Sequence, residues 1–312
     1  MHTLAILLSA PGKIGLDQVE LIPPTAGDLV VDVDFSGISS GTERLLWTGR
    51  MPHFPGMGYP LVPGYESVGR VVDAGADARH RIGETVFVPG STNYVGVRGL
   101  FGGSARTLVV PSARVTTIAQ NDNSQSVLLA LAATAFHAMR TARAPIDLVV
   151  GHGALGRLLA RIIIASGHPA PTVWETNVAR HAGSCGYDVT TPADDPRKDY
   201  RSICDVSGSA TILDDAMARL ARGGEIILAG FYEDRPSFAF APAFMREASI
   251  RIAAQWEPAD LHGVQELLSS SALQLDQIIT HTQDAAKAAQ AYRTAFEDLD
   301  CLKMVLDWRM CS

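Results

Sequence analysis

Cysteine is scarce in this 312-residue chain, which contains four: Cys185, Cys204, Cys301 and Cys311. No two of them form a CxxC pair, and none precedes residue 185. Disulfide frameworks and thiolate zinc sites depend on closely spaced cysteines, so the sequence argues against both. Sparse, unpaired cysteine is typical of a reducing compartment, and we expect a cytoplasmic protein.

Positive charge and long apolar runs are also in short supply. Lys and Arg total 26 against 33 Asp and Glu, a formal net charge of −7. Nucleic acids and anionic membranes attract clustered Lys and Arg, so we expect neither as a partner. No stretch reaches the ~18 apolar residues that a membrane helix needs. The apolar run within residues 1–16 lacks the features of a signal peptide, and we interpret it as an edge strand.

The character of the chain changes along its length. Residues 1–120 contain short β-rich runs bounded by Gly or Pro. Residues 121–256 alternate strand and helix patterns, which predicts an α/β segment with a parallel sheet and right-handed crossovers. Residues 257–312 indicate two helices and a closing strand. We therefore predict three segments with these boundaries.

A glycine-rich stretch, "VVGHGALGR", opens the second segment with a GxGxxG formed by Gly151, Gly153 and Gly156. It follows a strand pattern and opens a helix, which is the context a dinucleotide-binding loop requires. Gly151 permits the tight turn, Gly153 lets backbone approach a pyrophosphate, and Gly156 allows close helix packing. Ala154 and Leu155 would offer N–H groups at the helix N-terminus to the anion.

An acidic residue follows at the expected distance. Glu175 ends the next strand pattern, nineteen residues after Gly156. A carboxylate at that place accepts the ribose hydroxyls of NAD and repels the 2′-phosphate of NADP. Arg180 could contact the adenosine ribose or its ring, and it could also restore some NADP binding. We predict NAD as the cofactor.

Two later loops are predicted to face the same cofactor, because each follows a strand pattern and ligands lie at the carboxyl ends of parallel strands. They contain Ser207 and Gly208 in "DVSGS", and Gly230 and Phe231 in "LAGFY". The alternative is that these glycines serve only as turn residues.

Several motifs resemble the medium-chain dehydrogenase/reductase superfamily, the relatives of zinc alcohol dehydrogenase. "SGISSGTE" resembles its "SGICGTD", and "PGYESVGRVVDAG" resembles its "GHExxGxVxxVG". The resemblance covers the whole chain. It implies a GroES-like β-barrel catalytic domain over 1–120, a Rossmann domain with a doubly wound parallel sheet over 121–256, and a tail over 257–312 that returns to the catalytic domain.

The zinc ligands of that superfamily are missing here. Ser40 stands for the first ligand and Tyr65 for the second, and no cysteine lies near residue 130 for the third. Protonated hydroxyls are poor Zn²⁺ ligands, so we expect no catalytic metal.

Without a metal, a side chain must accept the proton of the alcohol or relay it. Tyr65 is the first candidate, although it could simply fill the vacated zinc site. Ser40 and Thr42 could extend a hydroxyl chain, and Glu66 could be the base or a buried acid that braces the loop. The resemblance also places Lys303 where a basic residue can contact the pyrophosphate.

A narrower resemblance rests on "SGISSGTERLLWTGRMPHFPGMGYPLVPGYESVGRVV", together with "VRGLFGGSA" and "LALAATAFHAM". These stretches resemble the bacteriochlorophyllide a dehydrogenases, which oxidise a 3-(1-hydroxyethyl) group to 3-acetyl. The resemblance implies an NAD-dependent alcohol dehydrogenase with a bacteriochlorophyllide, a tetrapyrrole, as its substrate. A zinc-free quinone or enoyl reductase is the alternative enzyme, and a nucleotide-binding protein without activity is the alternative outside catalysis.

The loop 45–60 has the composition that a flat, apolar macrocycle would need, because aromatic rings and thioethers offer polarisable contact surface. Its candidate substrate contacts are Trp47, Met51, His53, Phe54, Met57 and Tyr59. The alternative is a loop that packs on its own domain. Residues 238–255 could supply the sheet edge through which superfamily members often form homodimers.

Overall fold

The computed structural model describes residues 1–53, 55–119 and 124–311. The chain divides into two compact units, which we call unit 1 (Met1–Ala130 with Ile279–Ser312) and unit 2 (Leu131–Ile278). These limits fall later in the chain than the predicted boundaries after residues 120 and 256.

Strands and helices are numbered in chain order. The strands are β1 (His2–Ala10), β2 (Lys13–Glu20), β3 (Asp28–Ile38), β4 (Leu61–Val62), β5 (Ser67–Ala74), β6 (Thr85–Val88), β7 (Arg98–Gly99), β8 (Thr107–Pro111), β9 (Thr116–Thr117), β10 (Leu148–Val150), β11 (Thr172–Trp174), β12 (Asp188–Thr190), β13 (Tyr200–Asp205), β14 (Leu220–Leu228), β15 (Ser249–Ile252), β16 (His281–Asp284) and β17 (Met304–Asp307). The helices are α1 (Thr42–Thr48), α2 (Leu129–Thr141), α3 (Ala154–Ala165), α4 (Ile212–Arg219), α5 (Phe240–Arg246), α6 (Pro258–Ser269) and α7 (Ala288–Glu297). Single 3₁₀ turns lie at Arg79–Arg81, Ser112–Arg114, Gln125–Leu128, Val178–Arg180 and Ala285–Lys287.

Unit 1 is built from two β-sheets. The larger has the strand order β16-β17-β3-β5-β6-β9, with β8 also paired to β3, and the smaller has the order β2-β1-β4-β7. Strand β1 lies between β2 and β4, so the predicted edge position of this strand is wrong. Its single register pair with β4, Leu8 with Leu61, depends on a segment distant in the chain.

Strand β3 is the central strand of the larger sheet, because it pairs with β5, β8 and β17. Its Val and Leu residues are buried on both faces, and each such side chain contributes about 1.5–3 kcal/mol when it leaves water. The register sets Ile38 opposite Met304 and Ser36 opposite Ser67. The residues beside these pairs, Gly37, Glu66 and Lys303, are thereby brought together.

Unit 2 contains a six-stranded sheet in which every neighbouring pair is parallel, as predicted. The order β12-β11-β10-β13-β14-β15 places the first strand of the unit at its centre, between β11 and β13. Val150 is in register with Trp174 on one side and with Asp205 on the other, and Asp205 is in register with Leu228. The loops that follow these four residues therefore all leave the sheet at the carboxyl ends of its strands.

Helix α6 lies in unit 2, although its residues were predicted to belong to the tail. Asp260 on α6 lies 2.8 Å from Nδ1 of His137 on α2 and also bonds Arg140 at 2.7 Å. A β-carbon at Gly263 would overlap the Phe136 ring, so the two helices are in close contact. These contacts hold α6 against α2.

Within the residues described, no helix combines the length and the apolar character that crossing a membrane demands.

Candidate functional site

The glycine-rich loop of unit 2 has the geometry that its sequence suggested. Gly151 has φ 104°, a left-handed conformation that favours glycine. A β-carbon at Gly156 would overlap the Gly151 carbonyl oxygen, so only glycine lets α3 approach the turn this closely. A β-carbon at Gly153 would meet nothing within 4 Å, so this position faces open space. The loop therefore offers bare backbone on one side and tight packing on the other.

Helix α3 begins directly after this open position. Gly153 is its N-cap and provides no side-chain hydrogen bond, and Ala154 and Leu155 form the first turn. The first N–H groups of a helix have no partner within the helix and carry its positive dipole end. An anionic group such as a pyrophosphate fits this position.

Glu175 follows β11 and lies next to the glycine loop. Its Oε2 accepts a hydrogen bond from the His152 backbone N–H at 3.1 Å, and its Oε1 accepts one from the Asn177 N–H at 2.8 Å. The half-buried carboxylate is thus held by backbone donors. Each oxygen has further lone-pair capacity, which suits it to accept hydroxyl groups.

A buried histidine connects the glycine loop to the segment after Glu175, and the sequence reasoning missed it. Nδ1 of His152 lies 2.6 Å from the Arg180 carbonyl oxygen, and its Nε2 lies 2.9 Å from the Tyr187 hydroxyl. Burial lowers the pKa of His152 to about 4, so its imidazole is neutral at pH 7. Arg157 donates to the carbonyl oxygens of His152 and Ala182, at 3.2 and 2.8 Å. The available signal was Arg157, one of two arginines, with Arg161, in a helix whose other residues are uncharged.

The loop after β13 is organised by a buried acid. Asp205 Oδ1 accepts hydrogen bonds from the Ser207 N–H at 3.0 Å and from the Ser207 hydroxyl at 2.6 Å. Tyr232 donates its hydroxyl to the other oxygen. Burial raises the pKa of the Asp205 carboxyl. Ser207, a predicted cofactor contact, is thus occupied in holding its own loop.

The last two predicted cofactor loops lie against each other. Gly208 has φ 70°, and a β-carbon at Gly230 would lie 2.8 Å from the Gly208 nitrogen. Larger residues at either position would push the loops apart. The Phe231 side chain is 44% exposed, so it is available for contact with a ligand.

In unit 1, Tyr65 is hydrogen-bonded to Ser39 and not to the predicted Ser40. The Tyr65 hydroxyl donates to Ser39 Oγ at 2.8 Å, and the Thr42 N–H donates to the same oxygen at 3.4 Å. Ser39 is buried, whereas Ser40 is exposed. Burial and the neighbouring Glu66 raise the pKa of the Tyr65 phenol. Tyr65 therefore keeps its proton at neutral pH and cannot act as a base by ionising first.

Glu66 and Lys303 form a buried ion pair. The Lys303 ammonium donates to Glu66 Oε2, and both side chains are almost fully buried. A β-carbon at Gly37 would overlap this same Oε2, so glycine in β3 makes room for the pair. Burial raises the pKa of Glu66, and the charge of Lys303 acts against that rise. The ammonium predicted to contact a pyrophosphate is therefore engaged with Glu66.

A second buried acid, Glu43, was not singled out from the sequence. It lies in the first turn of α1 and is 1% exposed. Oε1 accepts a hydrogen bond from the Ser39 N–H at 3.0 Å, and Oε2 accepts one from the Tyr292 hydroxyl at 2.6 Å. Burial raises the pKa of Glu43 to about 7. The available signal was the acidic residue that ends "SGTE".

The donors at the superfamily's zinc-ligand positions do not fit a zinc ion. Ser40 is exposed, and the Tyr65 phenol remains protonated and donates to Ser39. Across the described parts of the chain, no three His, Cys, Asp or Glu side chains converge into a group that could hold a metal.

The loop 45–60 begins in α1, which ends at Thr48 and is capped by Gly49 with a left-handed φ of 74°. Four predicted substrate contacts are half-buried and pack on a small apolar cluster of Leu8, Leu46, Leu61 and Leu100; they are Trp47, Met51, Met57 and Tyr59. His53 is exposed, and Phe54 lies outside the described residues. The four half-buried residues thus both pack on their own unit and keep exposed surface.

Comparisons with known proteins extend these observations. Residues 25–120 match the family of the alcohol dehydrogenase GroES-like domain. The chain is 53% identical over 311 residues to the 2-desacetyl-2-hydroxyethyl bacteriochlorophyllide A dehydrogenase of Rhodobacter capsulatus, with 99% of each chain covered. It is 52% identical over 315 residues to the protein of the same name from Cereibacter sphaeroides, again with 99% of each covered.

A solved structure with a similar fold is that of a short chain alcohol dehydrogenase from Escherichia coli complexed with the cofactor NADH. Its TM-score is 0.83 at 22% identity, with 98% of this chain and 99% of that chain covered. The predicted fold is confirmed: a GroES-like domain and a Rossmann-type parallel sheet.

Proposed function

The chain belongs to the family of 2-desacetyl-2-hydroxyethyl bacteriochlorophyllide A dehydrogenases, and we propose that it oxidises the 1-hydroxyethyl group of a bacteriochlorophyllide to an acetyl group with NAD as hydride acceptor. The observation that carries this proposal is 53% identity across 99% of both chains. The glycine loop with Glu175 and the buried hydroxyl–carboxyl cluster of unit 1 supply chemistry that fits it.

We assign cofactor binding to unit 2. The N-terminus of α3 and the open face at Gly153 would hold the pyrophosphate, because both present backbone without side chains. Glu175 would accept the ribose hydroxyls, and its charge would disfavour the 2′-phosphate of NADP. Arg180 lies in the segment that follows. The loops with Ser207, Gly208, Gly230 and Phe231 would approach the nicotinamide half.

When bound, NAD supplies the acceptor for the hydride. The chain's own task is to hold the alcohol oxygen and to remove its proton. The Tyr65 hydroxyl suits the first task, because it is half-buried and already part of a hydroxyl chain with Ser39. Glu66 is paired with Lys303, so we assign it to bracing the cluster and not to proton transfer.

We assign substrate contact to the half-buried residues of the 45–60 loop. Trp47, Met51, Met57 and Tyr59 combine a fixed position on the apolar cluster with exposed apolar surface. That combination suits one face of a macrocycle, whose binding would bury more of the same side chains. His53 is exposed and is assigned only to the rim of the loop.

We also propose a homodimer through the edge of the unit 2 sheet. Among the residues that the structure describes, strand β15 has one neighbour in that sheet, β14. Phe240, Phe244 and Met245 on α5 and Ile252 on β15 are 66–72% exposed. An unpaired strand edge beside exposed apolar side chains favours pairing with a second copy. Size-exclusion chromatography with light scattering tests this, and Ile252→Lys should shift a dimer to monomer.

The function is tested by mixing purified, chelator-treated protein with 3-(1-hydroxyethyl) bacteriochlorophyllide a and either NAD or NADP. We expect a shift of the pigment's absorption with a product lighter by two hydrogens, faster with NAD and undiminished by the chelator. No turnover with either cofactor, in the presence of a working positive control, would overturn the proposed substrate.

A further inference from the structure

Alcohol oxidation releases a proton as well as a hydride, and Tyr65 cannot keep that proton. Its phenol is already protonated and must pass one proton on for each one it receives. The hydroxyl that accepts from Tyr65 is Ser39 Oγ, at 2.8 Å. A relay through these two groups needs a final acceptor.

The carboxylate beside Ser39 is Glu43. The Ser39 backbone N–H donates to Glu43 Oε1 at 3.0 Å, which holds this oxygen next to the residue whose hydroxyl ends the Tyr65 contact. Ser39 Oγ accepts from Tyr65 and from the Thr42 N–H, which leaves its own hydrogen as the proton that it can pass on. The hydrogen bond between Ser39 and Glu43 is made by the Ser39 backbone N–H, so the hydroxyl must rotate toward Oε1 to deliver that proton.

We propose that Glu43 is the terminal acceptor of the proton that leaves the substrate hydroxyl, reached through Tyr65 and Ser39. This inference rests on the proposed function. Glu43 does not touch the substrate, and it acts through the two hydroxyl groups.

The step balances in atoms and electrons. The substrate O–H bond breaks and its proton joins the Tyr65 oxygen, while the Tyr65 proton moves to Ser39 Oγ. The Ser39 hydroxyl, rotated toward Oε1, gives its own proton to Glu43. The electron pair of the O–H bond forms the new C=O bond as the hydride leaves carbon for NAD. After the ketone departs, the same relay returns the proton to water at the half-buried Tyr65.

The surroundings of Glu43 suit it to this role. Burial raises the pKa of Glu43, and the charge of Glu66 raises it further. The Tyr292 hydroxyl on α7 donates to Oε2, and the Ser39 N–H donates to Oε1. Both hydrogen bonds and the charge of Lys303 lower the pKa. The result is a pKa of about 7, so the carboxylate is available as a base at neutral pH.

The other nearby carboxylate is a poorer acceptor. Glu66 is bound directly by the Lys303 ammonium, whereas the bonded partners of Glu43 are an uncharged N–H and an uncharged hydroxyl. Protonating Glu66 would leave a buried ammonium without its counter-ion, which is costly. Protonating Glu43 removes a buried charge instead.

The test is the pH profile of kcat/KM with NAD and the hydroxyethyl pigment, for the wild-type protein, Glu43→Gln, Glu43→Asp and Tyr292→Phe. We expect the wild-type rate to fall on the acid side with a pKa near 7. Glu43→Gln should lower kcat about 100-fold or more and remove this acid limb, since a positioned base contributes about 10²–10⁴-fold. Glu43→Asp should restore part of the rate and the limb.

Tyr292→Phe is a control for which the direction of the change in the pH profile is predicted. The Tyr292 hydroxyl lowers the pKa of Glu43, so its removal should move the acid limb to higher pH. A merely structural role of Glu43 would leave the position of the limb unchanged in this variant. Circular dichroism and NAD binding should match the wild-type protein in every variant compared.

A folded Glu43→Gln protein that keeps the acid limb would overturn the inference while leaving the proposed function intact. If Glu43→Gln does not fold, an unmoved limb in Tyr292→Phe overturns it in the same way. Absence of turnover in the wild-type protein would overturn the proposed function, and this inference with it.

Discussion

The candidate sites of the two units are built from different parts of the chain: exposed backbone in unit 2 and buried ionisable side chains in unit 1. The glycine loop of unit 2 works by omitting side chains: Gly153 faces open space, and Gly156 lets a helix touch the Gly151 carbonyl. The cluster of unit 1 works by burying ionisable ones, with Glu43 and the Glu66–Lys303 pair almost fully enclosed. One site consists of free backbone donors, and the other of enclosed charges and hydroxyls.

This difference determines how each site responds to pH and to the loss of a single partner. Backbone N–H groups do not titrate near neutral pH, so the loop should hold its shape across the pH range in which the chain is folded. Buried carboxyls lose solvation, so the cluster depends on pH and on every partner that offsets this loss. It should also be the more fragile of the two when a single partner is removed.

The largest effect should come from filling the glycine loop. Gly156→Val places side-chain atoms against the Gly151 carbonyl, and we expect loss of NAD binding with a destabilisation on the order of 5 kcal/mol. Gly153→Ala is the matched control: it meets nothing within 4 Å, so stability should hold while NAD binding weakens. Calorimetric NAD titration and thermal unfolding measure both, and equal stability of the two variants would contradict the packing argument.

Removing one partner of the ion pair should come next. Lys303→Met leaves Glu66 buried without its cation, which costs about 3–5 kcal/mol of unfolding free energy. The double variant Lys303→Met with Glu66→Gln should regain most of that loss, because no charge remains buried. Urea unfolding measures all three proteins. A double variant as unstable as Lys303→Met alone would show that packing, and not charge, dominates.

The pH dependence of the cluster can be measured through Glu43. The pKa of the Glu43 carboxyl is raised from an ordinary 4.5 to about 7 in the folded protein, so the folded state binds this proton more tightly than the unfolded state. The stability that the protonated carboxyl contributes is therefore full below pH 4.5 and is lost as the pH rises through 7. At ~1.4 kcal/mol per pKa unit, that contribution is on the order of 3 kcal/mol. The unfolding free energy of the wild-type protein should fall by this amount relative to Glu43→Gln between pH 4.5 and 7.5. A difference that stays constant with pH would contradict the assignment.

The smallest effect should come from the single charge beside the glycine loop. Glu175→Ala should raise the Kd for NAD about tenfold, or ~1.4 kcal/mol, with little loss for NADP. Glu175→Gln keeps the shape and one acceptor, and it should lose less NAD affinity while relaxing the preference against NADP. Titration with both cofactors decides, and an unchanged NAD/NADP ratio in both variants would remove Glu175 from the cofactor site.

What could be foreseen from the sequence follows the same division. The parallel sheet and the glycine loop are local patterns, since strand–helix alternation and GxGxxG spacing lie within short windows. The identity of the hydroxyl beside Tyr65 could not be foreseen, because Ser39 and Ser40 are adjacent where β3 gives way to a turn, and the sequence does not show which of them points inward. In the structure Ser39 is buried and Ser40 is exposed.

The burial of Glu43 and the pairing of Glu66 with Lys303 also escaped the sequence reasoning. Tyr292 is 249 residues from Glu43, and Lys303 is 237 residues from Glu66, so no local pattern connects these groups. Helix α6 was assigned to the tail for a similar reason. Its contacts with His137 and Arg140 on α2 cross 120 residues or more of chain.

The position of β17 has a consequence for synthesis on the ribosome. The central strand β3 and the Glu66 carboxyl emerge early, but the partners that complete them, β17 and Lys303, emerge only after all of unit 2. Unit 2 is continuous in the chain and can fold first. Until β17 is made, unit 1 lacks the partner of residues 35–38 of β3, and Glu66 lacks its counter-ion. If synthesis pauses or stops before residue 303, the N-terminal part of unit 1 therefore remains without the residues that complete its sheet and its ion pair.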